Sequence, residues 1–443
     1  MTVTRDMTEG SISKHLLFYA VPLVFGNLFQ QLYHTVDSVV VGRFYGKNAL
    51  AAVGAAGPIM NILTFLIVGI SMGTSILMAR YFGAKQEEAL RKELGTSLTA
   101  GFLLTLFLAA VSFFGSACFI RITNTPDEIA ASAALYLRII CTGLLFTFLY
   151  NLFSAALRAI GDSRAPLYVL ILTTIVNVLL DLLLVGVLRL GVPGAALATI
   201  LSQAVSGLSL LLYIWLRVPL LRLRPTDLRL NRELLHQTID FSSISAVQQT
   251  ALYVGRLLVQ SGVNALGVDA VAAFNAVSII DSYVLAPGDS LAASITTFTA
   301  QNLGGGKQQR IPKGLKCMFL MAELYTITVT ILVLLGRTPL LGIFLKPEET
   351  EALRQGLSYL VPMAIFYFLS GINNTWQGYY RGLGRLKITL MATLVQMPVR
   401  VLLSYLLFDS CGIQAVAIGT AVGWVCMAAY EFTVYRRNGW GTE

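Results

Sequence analysis

Long apolar segments separated by short polar stretches dominate this chain. Between Lys47 and Arg80 there is no charged side chain, and about 20 apolar residues suffice for a helix to cross the hydrocarbon core of a membrane. The same pattern recurs along the whole chain and predicts twelve membrane-spanning helices. Their centres are expected near residues 28, 64, 106, 145, 179, 204, 250, 285, 326, 367, 398 and 424.

The first apolar segment is predicted to stay in the protein as a helix. It begins after Lys14 and continues to Val41, which is far longer than the roughly 7 to 15 apolar residues of a signal peptide. No small-residue cleavage pattern follows it.

Composition supports a membrane protein. Of the 443 residues, 56% are hydrophobic and 12% are charged, whereas about 25% of the residues in a soluble domain are charged. Twelve spans leave no room for a large soluble domain. We therefore predict an all-α integral membrane protein.

The net charge of +9 would suit a nucleic acid only if the cations formed one patch. Instead, 22 of the 32 lysines and arginines fall in segments on the side of the amino terminus and 7 on the opposite side. The other three, Arg138, Arg256 and Arg400, lie within helices. Because cytoplasmic loops carry the excess of cations, we expect a multi-pass protein of the inner membrane with both termini cytoplasmic and no nucleic-acid partner.

The five cysteines include no CxxC pair and lie in or beside apolar segments. They indicate neither a zinc site nor a disulfide framework. No cofactor is expected.

An internal repeat decides the architecture. Residues 49–59, ALAAVGAAGPI, align with residues 270–280, AVAAFNAVSII, and Tyr136 aligns with Tyr359. Further matches keep the same order at offsets of 221 to 223, including the turn GVPGAALAT at 191–199 with GIQAVAIGT at 412–420.

Matches in one order over several helices predict two related halves. We expect a first six-helix lobe at 1–216, a cytoplasmic linker at 217–237 and a second six-helix lobe at 238–443. Because six is even, both halves enter the membrane from the same side, and the axis that relates them lies along the membrane normal.

Several motifs in order resemble the multidrug and toxic compound extrusion (MATE) family. They are Pro22 in a Val-Pro-Leu opening, Gln30, Gln31, VDSVVVGRFYG at 36–46, LRAIGDSRAP at 157–166, and NVLLDLLLVG with GVPGAALAT at 177–199. The resemblance covers essentially the whole chain. It implies a V-shaped bundle of two pseudo-symmetric lobes that exports mostly cationic, amphipathic compounds by alternating access, in exchange for protons or sodium.

Ionisable groups within the predicted spans are candidates for function, because each costs about 2.5 to 3.5 kcal/mol at the centre of a membrane helix. In the first half these are Asp37 and Asp181, and Asn177 precedes Asp181 by one helical turn. Two carboxylates and an amide that converge can bind a proton or a hard cation such as Na⁺. The alternative is that each aspartate pairs with a distant arginine or caps a kinked helix.

The resemblance implies roles for these residues and their neighbours. Asp37, Asn177 and Asp181 match the acidic cluster of the family's amino-terminal lobe. Tyr136, Asn151 and Thr199 match polar positions near the cluster. Pro22 matches a proline at which helix 1 bends. Gln30 and His34 become candidates for the cavity, and His34 either relays protons to Asp37 or is hydrogen-bonded in the packing.

The second half does not repeat this chemistry. In the alignment Asp37 falls on Gly255, Asn177 on Arg400 and Asp181 on Ser404, so that only the first lobe is expected to bind the coupling ion. Some family members carry a Glu in helix 7 and an Asp in helix 10. The corresponding helices here offer Gln248, Gln249, Asn373 and Asn374.

The second half instead contains charges of both signs within helices: Arg256, Arg400, Asp281, Asp289 and Glu323. We favour internal ion pairs among them. The alternative is that Arg256 or Arg400 faces the cavity and recognises an anionic part of the substrate.

Other functional classes fit less well. The segment GGGKQQR at 304–310 lacks the spacing of a phosphate-binding loop, and no acid-rich DDxxD-like set suggests a magnesium-dependent membrane enzyme. An accessory structural protein would not need two buried acids. We therefore expect a monomeric ion-coupled carrier, with H⁺ favoured over Na⁺, and not an enzyme. The alternative is a lipid-linked sugar flippase of the same wider superfamily.

Overall fold

The computed structural model describes residues 4–123 and 125–438, apart from the side chains of residues 33–48, 50 and 438. Every regular element in these ranges is helical, because in lipid a helix satisfies its own peptide groups. The helices are α1 (Ile12–Gly83), α2 (Glu87–Ile122), α3 (Asp127–Thr142), α4 (Leu144–Ala159), α5 (Arg164–Asp181), α6 (Gly191–Arg217), α7 (Arg232–Asn264), α8 (Val268–Gly304), α9 (Arg310–Leu335), α10 (Arg337–Gly342), α11 (Thr350–Ile365), α12 (Tyr367–Gly382), α13 (Leu386–Cys411) and α14 (Gln414–Asn438). A π-helix at Leu182–Val187 continues α5, and a 3₁₀ turn at Pro219–Leu221 follows α6.

The predicted spans correspond to these helices. Within the described part of the chain, nine helical segments are long and apolar enough to cross a membrane, and two bent helix pairs raise the number to eleven. At the seventh predicted position lies α7, which has 33 residues but carries many Gln, Ser and Thr side chains. All twelve predicted centres lie in helices. The prediction of an all-helical membrane protein is confirmed.

Two bends reproduce the internal repeat. Helices α3 and α4 meet at Gly143 and differ in direction by 48°, and α11 and α12 meet at Phe366 with the same angle. Gly143 and Phe366 are separated by the offset that relates Tyr136 to Tyr359. The two halves therefore share a broken span at the same place in the repeat.

The chain divides into two compact units. The first unit is formed by Met1–Asp6 and Val21–Ala246, and the second unit by Met7–Ala20 and Val247–Glu443. Two of these boundaries, after Ala20 and after Ala246, fall inside the long helices α1 and α7. The lobes at 1–216 and 238–443 that the sequence suggests stay a prediction.

Hydrogen bonds explain why Met7–Ala20 belongs to the second unit. The Met7 backbone N–H donates to Gln301 Oε1 at 2.9 Å, and Ser294 Oγ donates to the Leu16 carbonyl at 3.0 Å. The Tyr19 hydroxyl lies 2.9 Å from Thr297 Oγ1. Polar residues of α8 thus hold the start of the chain.

Each unit has its own apolar core. In the first unit, Phe148 and Leu152 of α4 are fully buried. In the second unit, the Phe274 ring of α8 stacks on the Tyr359 ring of α11, with centroids 5.7 Å apart.

Candidate functional site

Helix α5 places its polar side chains inward and its apolar side chains outward. Thr173, Asn177 and Asp181 follow one another at intervals of one turn, and all three are buried. Leu172 and Leu179, on the other face, are exposed, as suits a helix that contacts lipid. The predicted pair Asn177 and Asp181 therefore lies side by side in the interior of the first unit.

The amide of Asn177 makes this stripe unusual. Its side chain is fully buried, and neither its Oδ1 nor its Nδ2 atom has a hydrogen-bond partner among the described residues. A buried polar group left without a partner costs about 1 to 3 kcal/mol. An unsatisfied amide oxygen beside the Asp181 carboxylate supplies the oxygen atoms that a hard cation or a hydrated proton needs.

A π-helix begins directly after Asp181. Its residues, Leu182–Val187, are followed by a hydrogen bond from the Leu188 N–H to the Leu183 carbonyl at 2.8 Å. Asp181 precedes Gly191 by ten positions, whereas Ser404 precedes the aligned Gly412 by eight. The π-helical turn accommodates part of the two additional residues of the first half. Single π-helical turns often occur at functional sites.

Asp162 fixes the start of α5. Its Oδ1 atom accepts hydrogen bonds from the backbone N–H groups of Arg164 and Ala165 at 3.0 and 3.1 Å. Its Oδ2 atom accepts one from the Tyr213 hydroxyl at 3.0 Å. Burial raises the pKa of the Asp162 carboxyl, although these hydrogen bonds oppose the shift. This cap anchors the helix that carries Asn177 and Asp181.

The other polar positions predicted for the first half lie on neighbouring helices of the same unit. Tyr136 of α3 is buried. Asn151 of α4 donates its Nδ2 proton to the Thr147 carbonyl at 2.8 Å, and Thr199 of α6 donates to the Ala195 carbonyl at 3.0 Å. Both side chains are therefore held by their own helices, and their membership of one site with Asp181 stays a prediction.

Helix α1 carries the remaining predicted residues. The side chains of His34 and Asp37 lie outside the described side chains. Gln30 is exposed, and Pro22 is buried in a helix that continues through it. The division between the two units falls after Ala20, two residues before this proline. The predicted bend at Pro22 stays a prediction.

The second unit does not form the ion pairs expected for its charged residues. Among the described residues, none of Arg256, Arg400, Asp281, Asp289 and Glu323 has an oppositely charged partner within 4.0 Å. Asp281 accepts a short hydrogen bond from the Tyr367 hydroxyl instead. The ion-pair interpretation is therefore wrong for this structure, and one oxygen of Asp281 is hydrogen-bonded to a phenol instead.

The sequence reasoning missed a fully buried glutamate in each unit. In the first unit, Glu93 of α2 is fully buried, and its Oε1 atom accepts hydrogen bonds from Ser97 Oγ at 3.0 Å and Thr238 Oγ1 at 2.7 Å. Glu93 follows Arg91 and Lys92 near the start of α2. That basic context is typical of a solvated helix end, so the sequence offered no signal.

Glu431 of α14 is the fully buried glutamate of the second unit. Its Oε1 atom accepts a hydrogen bond from Gln377 Nε2 at 2.5 Å, and Gln377 Oε1 accepts one from Gln248 Nε2 at 2.7 Å. Gln248 also donates to Thr393 Oγ1 at 2.9 Å. The 21 residues before Glu431, 410–430, are uncharged, and this isolated acid in an apolar segment could have been recognised.

No three His, Cys, Asp or Glu residues in the described part of the chain are grouped so as to hold a metal ion. A cation beside Asp181 would therefore depend on amide and hydroxyl oxygens in addition to carboxylates.

Comparisons with known proteins agree with this architecture. The chain matches the family described as MatE over residues 22–183 and again over residues 244–406. It is 31% identical over 355 residues to "Probable multidrug resistance protein YoeA" of Bacillus subtilis (strain 168), covering 79% of this chain and 77% of that protein. It is 26% identical over 438 residues to "Probable multidrug resistance protein YpnP" of the same organism, covering 98% and 97%.

A solved structure, that of MATE in complex with MaL6, has the same fold. It superimposes with a TM-score of 0.92 at 22% sequence identity and covers 98% of this chain and 97% of that chain.

Proposed function

This chain belongs to the MATE family, a family of transporters and not of enzymes, and we propose that it is a secondary antiporter that exports small organic compounds in exchange for protons. The names of the relatives, which call them multidrug resistance proteins, support export of more than one compound. We propose that these compounds are often cationic and amphipathic. Sodium is the second choice of coupling ion. We further propose that the protein works as a monomer in the inner membrane, with both termini cytoplasmic.

The observation that carries this proposal is the buried polar stripe of α5. Asn177 and Asp181 are both fully buried, one turn apart, and the amide has no hydrogen-bond partner among the described residues. A purely structural role would satisfy the Asn177 amide, because unsatisfied polar atoms are costly in the membrane. A site that alternately binds and releases an ion explains why they are present.

The contact between α1 and α5 supports Asp37 as a member of the same site. A methyl group at Gly26 would lie 3.9 Å from the side chains of Leu167 and Leu170. Asp37 follows Gly26 by eleven residues, and Asp181 follows Leu170 by eleven residues. The predicted topology makes the two helices parallel, so equal rises of 1.5 Å per residue bring the two aspartates to one level.

Exchange requires that the ion and the substrate prefer different conformations or compete for one site, since a ligand shifts an equilibrium only by its differential affinity. An inward-moving proton contributes about 2.3 kcal/mol per 100 mV of membrane potential. That energy can drive substrate out only if the empty, unprotonated protein does not change conformation freely. Asp37 is the group we propose to control this step.

Efflux from vesicles that contain the purified full-length chain tests the proposal. We expect an imposed proton gradient to drive efflux of a cationic dye and an equal sodium gradient to drive less. Asp37→Asn, which mimics the protonated acid, should still bind the dye but should lose gradient-driven efflux. Asp409→Asn is the matched control, because Asp409 is an exposed aspartate at the end of α13.

Full proton-driven efflux in Asp37→Asn would contradict the coupling role of that residue. Efflux by the natural sequence that needs sodium and ignores the proton gradient would replace the proton with sodium.

A further inference from the structure

A cluster of charged and phenolic side chains lies in the second unit, whereas the proposed coupling residues belong to the first unit. Its members are Arg256 of α7, Asp281 of α8, Tyr359 of α11, Tyr367 of α12 and Arg400 of α13. The charges of Arg256, Arg400 and Asp281 are close enough to influence one another and Tyr359. We refer to these five residues as the arginine cluster.

Close packing of α7 against α13 brings the two arginines together. A methyl group at Gly255 would lie 2.5 Å from Met397 Sδ, so that a larger residue there would displace the Met397 side chain. Arg256 follows Gly255 directly, and Arg400 lies about one turn after Met397. The contact between α7 and α13 is therefore adjacent to both arginines along the chain.

The protein itself does not balance these charges. Asp281 is the one carboxylate of the arginine cluster, and Tyr367 already donates a hydrogen bond to its Oδ1 atom. Neither guanidinium has a carboxylate within 4.0 Å in the described part of the chain. The Nε atom of Arg400 is buried and has no hydrogen-bond partner there. With two cations and one anion, the cluster has a net charge of +1.

The arginine cluster is open to a ligand. The Arg256 side chain is exposed, and those of Arg400 and Asp281 are partly exposed. A guanidinium within a membrane helix is stable only where it faces water or a counter-charge. The ring of Tyr359 is buried and stacked on Phe274, so it packs beneath these charges as part of the core of the second unit.

We propose that the arginine cluster binds the carboxylate of an amphipathic aromatic substrate. A guanidinium matches a carboxylate with two parallel hydrogen bonds, which an ammonium group cannot do. One negative charge neutralises the net charge of the cluster. Under the proposed antiport function, on which this substrate assignment rests, the exported compounds include zwitterions that carry both a cationic group and a carboxylate.

A pair of dyes separates the carboxylate from the rest of the ligand: a rhodamine with a free carboxylate and its methyl ester. Both carry the same cation and the same rings. Binding is measured by fluorescence anisotropy with the purified full-length chain in lipid nanodiscs, without any ion gradient. We expect the free acid to bind more tightly than the ester.

Arg400→Gln should weaken binding of the acid by about tenfold or more, the loss expected when a charged hydrogen-bond donor is removed. Binding of the ester should change by less than about twofold. Arg256→Gln, at an exposed position that tolerates substitution, should show the same selectivity with a smaller loss. Arg138→Gln in the first unit, whose Nε donates to Ser116 Oγ at 2.8 Å, is the matched control.

Equal weakening of acid and ester in both folded variants, or no weakening of the acid, overturns the proposal. If Arg400→Gln does not fold, Arg256→Gln decides between these results. Vesicle efflux of the two dyes distinguishes this proposal from the function on which it rests. Selective binding of the acid without gradient-driven efflux supports the carboxylate site and refutes the antiport function. Gradient-driven efflux of both dyes without selective binding supports the antiport function and refutes the carboxylate site.

Discussion

Helices α5 and α13 occupy equivalent places in the two halves but carry opposite chemistry. On α5, Asn177 and Asp181 present an amide and an acid one turn apart. On α13, Arg400 and Ser404 stand at the aligned positions with the same spacing. All four side chains lie on helices that span the membrane, yet one pair supplies oxygen ligands and the other supplies a cation.

This difference shows that the repeat conserves backbone geometry and not charge. The bends at Gly143 and Phe366 have the same angle of 48°, because helix packing and span length constrain both halves alike. Polar side chains in the interior are free to differ, provided that each finds a partner or a ligand. We infer a division of labour, with ion coupling in the first unit and recognition of a carboxylate in the second.

The largest effect should come from the acid of α5. Asp181→Asn keeps the shape of the side chain but cannot release a proton, so we expect proton-driven efflux to fall by about a hundredfold or more, the lower end of the effect of a positioned proton-transfer group. Dye binding measured without a gradient should persist. Asp127→Asn, an exposed position in the first turn of α3, serves as the control in the same vesicle assay. Normal efflux in Asp181→Asn would contradict the assignment of ion coupling to the first unit alone.

A smaller effect, on stability, is expected at Tyr367. Tyr367→Phe deletes the donor to Asp281 Oδ1 and should destabilise the protein by about 1 to 3 kcal/mol, the cost of an unpaired buried group. Thermal unfolding of the purified chain in detergent measures it. Tyr405→Phe loses a hydrogen bond to the Leu258 carbonyl at an exposed site and should cost less. Equal losses in the two variants would mean that the phenol is not what stabilises Asp281.

The smallest effect is expected at Ser404, the counterpart of Asp181. Ser404 Oγ donates to the Arg400 carbonyl of its own helix at 2.7 Å, a local hydrogen bond that contributes little. Ser404→Ala should therefore change stability by no more than about 1 kcal/mol, the net contribution of a typical hydrogen bond, and leave proton-driven efflux intact. A loss of efflux like that in Asp181→Asn, in a folded and inserted variant, would show that the second unit shares the coupling.

The pair Asn177 and Asp181 shows where sequence reasoning succeeds, and Asp281 shows where it fails. Asn177 and Asp181 could be recognised because four residues separate them in an apolar helix, so that helix periodicity alone places them on one face. The prediction of an ion pair was wrong for Asp281. Its partner is Tyr367, 86 positions away, and no local pattern distinguishes a phenol from an arginine as the donor.

The sequence by itself determined the helical class, the repeat and the family. These features follow from local hydropathy and from residue order, because a membrane helix satisfies its own backbone and needs only an apolar segment of sufficient length. The two-residue difference between the halves after Asp181 and Ser404 can also be read from the alignment.

The tertiary structure alone decided which polar groups are buried together. In the sequence, Glu93 looks like a residue at a solvated helix end, yet in the structure Thr238 of α7 donates a hydrogen bond to it. The arginine cluster joins Arg256 of α7 and Arg400 of α13, helices that are in contact where Gly255 meets Met397. The physical reason is that burial and electrostatic balance depend on distances between helices far apart in the chain, which packing sets and local hydropathy does not encode.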